Sequence, residues 1–312
     1  MRNNLKKYNF VDNPVITTNY AGEFAGKYIA AAILSAPTLE AGAVTIMPNV
    51  KYRSTLKVLG NDYLDITAAS CDFDPSGDVV LSDKVLEVVE KQVNVQLCKT
   101  PFQSDWEATQ MGYSAFDNLP KTFSDFFIGN MLSQIAAKTE IDLWSLTTGY
   151  PFLLADDGAA TPTWANVTAA NVIEKLGVVV DALPNRVYNK PDLKLYVSID
   201  VAKAYVRALG GFATNIGANG LNMQGTQWYT AGGALSYEGI AIFVCDGMVD
   251  STIVLTTSTN LYFGTGLMSD YNEVRVLDMA DLDGSKNVRF IARWTQGLQV
   301  GFGGDAVVYA DL

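Results

Sequence analysis

The segment after Pro120 limits the fold more than any other part of this 312-residue chain. Proline suits the first turn of a helix, where its missing N–H would have no intrahelical partner. Phe123, Phe127, Met131 and Ile135 follow at four-residue steps, with Phe126 and Leu132 beside them. Ser124, Asp125, Gln134 and Lys138 fill much of the remainder, so the apolar side chains gather on one helical face. The spacing predicts a helix over about 120–146, roughly 40 Å long at 1.5 Å rise per residue. A helix of that length belongs in an extended body rather than in a small compact enzyme.

A different period rules the segment before it. Gln92, Asn94 and Gln96 alternate with Val93, Val95 and Leu97, the pattern of a half-buried antiparallel strand. Val44-Thr45-Ile46 and Thr55-Leu56-Lys57-Val58-Leu59 are strand-like too, and the Asp-, Pro- and Gly-rich run 71–78 is a turn-rich tip. Residues 44–98 are therefore expected to form a long β-hairpin or flap with an acidic tip. Ahead of it, residues 1–20 contain Asn13-Pro14 and suggest an extended arm, followed by a short Ala-rich helical stretch, Tyr28 to Leu34, that Pro37 stops.

Beyond a loop at 149–167, Thr168 is expected to cap a helix running to Leu183, with Val172, Ile173, Leu176, Val179, Val180 and Leu183 as its stripe. Asp200 is expected to cap another helix, Val201 to Leu209, ended by Gly210-Gly211. Short apolar strands are predicted at 193–197, 240–244, 252–255, 261–263, 274–276 and 288–294, and a last one over 298–309. Asp283-Gly284 suits a hairpin turn, and the glycines of 301–305 a bend. Strands and helices mix irregularly, which indicates α+β and not a regular βαβ alternation.

Chemistry is scarce in this sequence. It contains no histidine, which removes the usual general base at neutral pH, every Ser-His or Cys-His pair, and a His-rich zinc site. Cys71, Cys98 and Cys245 lie far apart and are expected to be reduced, partly buried thiols. Asp250-Ser251-Thr252 lacks the glycine of an aspartic-protease motif and is expected to begin a strand. Asp281-Leu282-Asp283-Gly284 lacks the later ligands of a calcium loop, and Gly301–Asp305 lacks the Lys-Ser/Thr of a P-loop. No catalytic residue, cofactor site or metal site is therefore expected. The formal charge of −11 disfavours chain-wide binding to nucleic acid, with Arg2, Lys6 and Lys7 a local exception. No apolar run reaches the roughly 18 residues a membrane helix requires, and no secretory signal is evident, so the product is expected to stay in the cytoplasm.

One group of proteins combines an arm, a β-flap, a long helix and an α+β body without an active site. The sequence resembles the major capsid proteins of tailed bacteriophages, which have the Hong Kong 97-like fold. The resemblance is carried by Asn19-Tyr20-Ala21-Gly22-Glu23-Phe24-Ala25-Gly26-Lys27-Tyr28-Ile29, by Thr38-Leu39-Glu40-Ala41-Gly42, and by Ile46-Met47-Pro48-Asn49-Val50-Lys51. These look like the start of capsid proteins in phages and prophages of Bacteroidetes-type hosts. The segment from Trp294-Thr295-Gln296-Gly297 to Tyr309 looks like the family's closing strands.

The resemblance implies an N-terminal arm at 1–43, an extended loop at 44–100, and a peripheral domain at 101–165 with a spine helix at about 120–146. It further implies an axial domain at 166–270 and return strands at 271–312. The capsid pattern begins near residue 19, so a separate scaffolding protein, or none, is expected. Hexamers and pentamers of the chain would form an icosahedral shell in the virion, assembled in the host cytoplasm, with a portal and enclosed double-stranded DNA as partners and no membrane. Arg2, Lys6 and Lys7 of the arm, Lys51, Arg53 and Lys57 on one flap arm, and Asp72, Asp74, Asp78 and Asp83 near the tip are candidates for inter-subunit contacts. The alternatives are an encapsulin-like nanocompartment shell and an acidic, carboxylate-dependent hydrolase or sugar-binding enzyme.

Overall fold

Leu193, Leu195 and Val197 point to one side of a six-residue strand, Tyr196 and Ser198 to the other, and all five are buried. A strand buried on both faces needs cover on both. The computed structural model that shows this describes residues 37–59, 81–98, 121–209, 235–266 and 273–312, together with Ala68 and Cys71. The chain divides into two compact units. The larger comprises Pro37–Val88, Lys138–Gly264 and Gly297–Leu312, and the described residues of the other lie within Val89–Ala137 and Thr265–Gln296.

The first half of the described chain holds α1 (Pro37–Glu40), β1 (Thr45–Met47), β2 (Arg53–Leu59), β3 (Leu81–Glu87), β4 (Val89–Cys98), α2 (Lys121–Leu143) and α3 (Tyr150–Asp156). Then come α4 (Val172–Asp181), α5 (Asn185–Tyr188), β5 (Leu193–Ser198), α6 (Ile199–Leu209), β6 (Ser236–Tyr237), β7 (Ile240–Cys245), β8 (Ile253–Thr257) and β9 (Leu261–Gly264). The last elements are β10 (Glu273–Asp278), α7 (Ala280–Asp283), β11 (Asn287–Val300) and β12 (Val307–Tyr309).

In the larger unit a five-stranded sheet has the order β12-β8-β5-β7-β6, with β5 parallel to β7 and antiparallel to β8. Val172, Leu176 and Val179 of α4 and Val201 and Tyr205 of α6 pack with Leu195 and Val197 in one apolar cluster. Each large aliphatic side chain buried this way contributes about 1.5–3 kcal/mol. On the other face the Tyr196 ring lies 5.1 Å from Trp144 and 5.8 Å from Phe243. Its hydroxyl donates to the Ala43 carbonyl at 2.5 Å, which ties the residues before β1 to the sheet. A second sheet pairs β1 parallel with β9, and β9 antiparallel with residues 297–300 of β11. β2 and β3 form a separate antiparallel hairpin.

In the other unit, residues 287–296 of β11 lie between β4 and β10, antiparallel to both. Val288, Phe290, Ala292 and Trp294 are buried, and the first three stand in register with Leu97, Val95 and Val93. The alternation at 92–97 is thus a strand as expected, but it does not close the hairpin. The second hairpin arm is β3, and β4 pairs with β11, whose Val288, Phe290 and Ala292 match its apolar row. The linking α7 ends on Gly284, whose φ of +71° is the left-handed conformation glycine adopts at a helix end. That places the turn at Asp283-Gly284 as expected.

The long helix is present, about 35 Å long by its rise, and ends at Leu143. There the chain folds back so closely that a Cβ on Gly149 would lie 2.5 Å from the Leu143 carbonyl oxygen. Ile135 is buried and Met131 half-buried, while the side chains of Phe123, Phe126 and Phe127 lie outside the described set. Two expected caps are corrected. Asn171, not Thr168, precedes α4, and its Oδ1 accepts from the Thr168 N–H at 2.7 Å, so the two residues close a turn before the helix. Asp200 lies inside α6, where its carboxylate holds Ser251 of the β7–β8 connection. Ser251 does not begin a strand. It takes φ +58°, and β8 starts at Ile253. The expected last strand is split by the bend at Gly303–Asp305 into the end of β11 and β12.

Candidate assembly surface

The β2–β3 hairpin sorts its side chains by register. Arg53 stands opposite Glu87, Thr55 opposite Val85, Lys57 opposite Asp83 and Leu59 opposite Leu81, and most of this outward row is exposed. Arg53 pairs with Glu87 at 3.2 Å and also lies over the ring of Tyr52, which is 61% exposed. Leu81, 63% exposed, and Val85 add apolar surface. Positive and negative residues thus face each other across the strands, with apolar side chains between them. Such a face is self-neutralising and partly apolar, which suits contact with protein more than with phosphate.

The inward row fixes the hairpin to its unit. Leu86 is fully buried and packs with Val50 and Val88, and Lys84 forms an ion pair with Asp157. Asp157 also accepts the Gly303 N–H at 2.5 Å. Gln299 donates its side-chain N–H to the Val85 carbonyl at 2.8 Å, and the Val88 N–H donates to the Tyr52 carbonyl at 3.0 Å. Two glycines lie close against the hairpin. A Cβ at Gly297 would lie 2.2 Å from the Glu87 carbonyl oxygen, and one at Gly264 would lie 2.8 Å from Leu86 Cδ2. Beneath β2 is a recess of about 290 Å³ whose lining includes Leu56, Val58, Tyr262, Phe302 and Lys190.

Two carboxylates are buried among the described residues, Glu140 and Asp305. Asp305 is paired: Arg186 reaches it at 2.8 and 2.9 Å, with Lys190 at 3.7 Å. Glu140, 1% exposed, has neutral donors instead. It accepts from the Thr38 hydroxyl, from the Thr38 N–H at 3.3 Å and from Trp144 Nε1 at 3.2 Å. Burial pushes its carboxyl above the usual range; the hydrogen bonds from Thr38 and Trp144 oppose that rise, and Asp246 adds to it. Burial likewise raises the neighbouring Cys245 thiol and the Tyr150 phenol. Among the described residues no group of three or more His, Cys, Asp or Glu side chains is placed to hold a metal ion. No described helix is long and apolar enough to cross a membrane.

Of the residues singled out from sequence, Arg53, Lys57 and Asp83 come together on the outward hairpin face, and Lys51 is exposed just before β2. Arg2, Lys6, Lys7, Asp72, Asp74 and Asp78 lie outside the described residues. Cys71 is exposed rather than partly buried, Cys98 half-buried and Cys245 buried, and none of the three is in a disulfide. Sequence reasoning missed Glu87, Tyr52, Val85 and the Lys84–Asp157 pin. The period of two over 81–87 would have placed Glu87 and Val85 on the same face as Asp83.

No protein-family model matches the chain, and none of the curated proteins matches it. Solved structures do. A chain from the capsid of Myoviridae phage XM1 superposes with a TM-score of 0.54 at 12% identity, over 88% of this chain and 92% of that one. The capsid of cyanophage P-SCSP1u gives 0.52 at 10% identity, over 86% of each chain. The procapsid of satellite phage P4, which includes its size determination protein, gives 0.52 at 10% identity over 91% and 97%. The α+β fold described here is that of phage capsid chains.

Proposed function

We propose that this chain is the major capsid protein of a tailed bacteriophage, a subunit that assembles into an icosahedral shell around packaged DNA and catalyses no reaction. The observation that carries the proposal is the fold shared with phage capsid chains over nearly the whole length, 88% of this chain for phage XM1. The exposed, self-neutralising hairpin face supports it, because a surface with cross-strand charge pairs and apolar gaps is built to meet another protein surface. Symmetric closure then multiplies many modest contacts into a shell. In this reading the partners are further copies of the chain as hexamers and pentamers, a separate scaffolding protein, a portal, and double-stranded DNA held without sequence preference. Residues 1–43 serve as the arm, 44–100 as the overlapping loop, 101–165 and 271–312 as the peripheral domain, and 166–270 as the axial domain. The location is the virion, after assembly in the host cytoplasm.

Electron microscopy of the chain purified alone, and with a scaffolding protein where one is found, tests this. Closed icosahedral particles are the expected result. A stable monomer or dimer under all conditions would overturn it, and shells that package an enzyme cargo would point to a nanocompartment instead.

A further inference from the structure

The contrast between the two buried carboxylates has a consequence for the residues just after position 36. Asp305 is neutralised by Arg186 and Lys190, whereas Glu140 is held by the hydroxyl and N–H of Thr38 and the indole of Trp144. The groups around Glu140 are Thr38 from α1, Cys245 and Asp246 from the end of β7, Tyr150 from α3, and Trp144 from its own helix end. Among the described residues no cation is one of them. Glu40 on α1 and Lys138 and Asp142 on α2 are exposed. The backbone is equally close, since a Cβ on Gly247 would lie 2.5 Å from the Glu140 carbonyl oxygen.

We infer that Glu140 is a proton-linked latch, whose protonation state sets how firmly the Pro37–Glu40 turn is held against the end of α2. The network is hydrogen-bonded in either state. With Glu140 ionised, the Thr38 hydroxyl donates to it and accepts from Trp144 Nε1 at 3.0 Å. With Glu140 protonated, its O–H donates to Thr38 Oγ1, and the Thr38 hydroxyl turns to Cys245, a contact already made. Burial of the carboxyl, with only neutral donors among its described neighbours, separates the two states in energy, and the neutral one is favoured. The folded-state pKa lies above the unfolded one, so the closed latch binds a proton that the open one releases. The latch is therefore at full strength below the ordinary carboxyl range and weakens as pH rises toward the raised value, levelling off beyond it.

Hydrogen exchange of the unassembled full-length chain tests this, read on peptides covering 37–44 between pH 4 and 8 and corrected for intrinsic exchange. The opening constant of this segment is expected to rise by up to about tenfold per pH unit above the ordinary carboxyl pKa of about 4.3, then to plateau. In Glu140→Gln the profile should be flat. Parallel profiles in the two proteins would overturn the latch. Should Glu140→Gln fail to fold, the native chain suffices: the indole N–H resonance of Trp144, assigned as the one lost in Trp144→Phe, must titrate with the same midpoint, and its invariance over this range would overturn the inference. Neither readout depends on shell formation.

Discussion

Ser251 donates its backbone N–H to Asp200 Oδ2 at 2.8 Å, and its hydroxyl lies between that oxygen, at 3.2 Å, and Asn166 Oδ1, at 2.7 Å. A serine at φ +58° is costly for an L-residue, and these bonds hold it there. Asp200→Ala should therefore destabilise the subunit by about 1–3 kcal/mol, the cost of leaving a buried donor unpaired. Asp200→Asn keeps an acceptor oxygen and should lose clearly less. Denaturant melts of the unassembled chain compare the two.

The ion pair of Lys84 with Asp157 separates charge from hydrogen bonding. Both side chains are partly exposed, at 20% and 31%, so Lys84→Met should cost only about 0–1 kcal/mol. Asp157→Ala also strips the Gly303 N–H of its acceptor and should cost more, about 1–2 kcal/mol. Equal losses in melts of the two variants would contradict this division.

Glycine substitutions should move stability in opposite directions. Gly129 lies within α2 with no described atom within 4 Å of its would-be Cβ, so Gly129→Ala should raise stability by about 0.5–1 kcal/mol. At Gly297 the added methyl would meet the Glu87 backbone, and Gly297→Ala should cost about 3 kcal/mol. Thermal unfolding of the two variants gives the sign directly.

On the outward hairpin face, charge reversal should impair assembly and spare the fold. Arg53→Glu and Lys57→Glu change exposed side chains but place like charges opposite Glu87 and Asp83, so each should cost the subunit no more than about 1 kcal/mol. Particle yield in sedimentation should fall several-fold, and reversing Asp83 to Lys together with Lys57→Glu should restore part of it. Unchanged yield would remove this face from the assembly surface.

Much of this architecture is written in local periodicity. The four-residue spacing around Met131 and Ile135 found α2, and the alternation at 92–97 found β4, because burial on one face imposes those periods directly. Strand partners were not legible: whether β4 pairs with β2 or β11 depends on which distant strand carries the complementary apolar row, and Val288, Phe290 and Ala292 decide it. Caps failed for a related reason. Asp200 has the chemistry of a helix cap, but Ser251, fifty-one positions away, claims its carboxylate. The candidate surface was half legible, since Arg53, Lys57 and Asp83 were named from sequence while Glu87 and the pin at Lys84 required the register.

The hairpin root joins a free outward face to two sites, Gly264 and Gly297, where backbone and side chain leave no space for a methyl group. Sequence drift in such a protein would be unequal. The outward row can exchange charges and apolar side chains to follow a changing neighbour, while the two glycines beneath it stay fixed. Distant relatives would then keep the same hinge point under surfaces that no longer recognise one another.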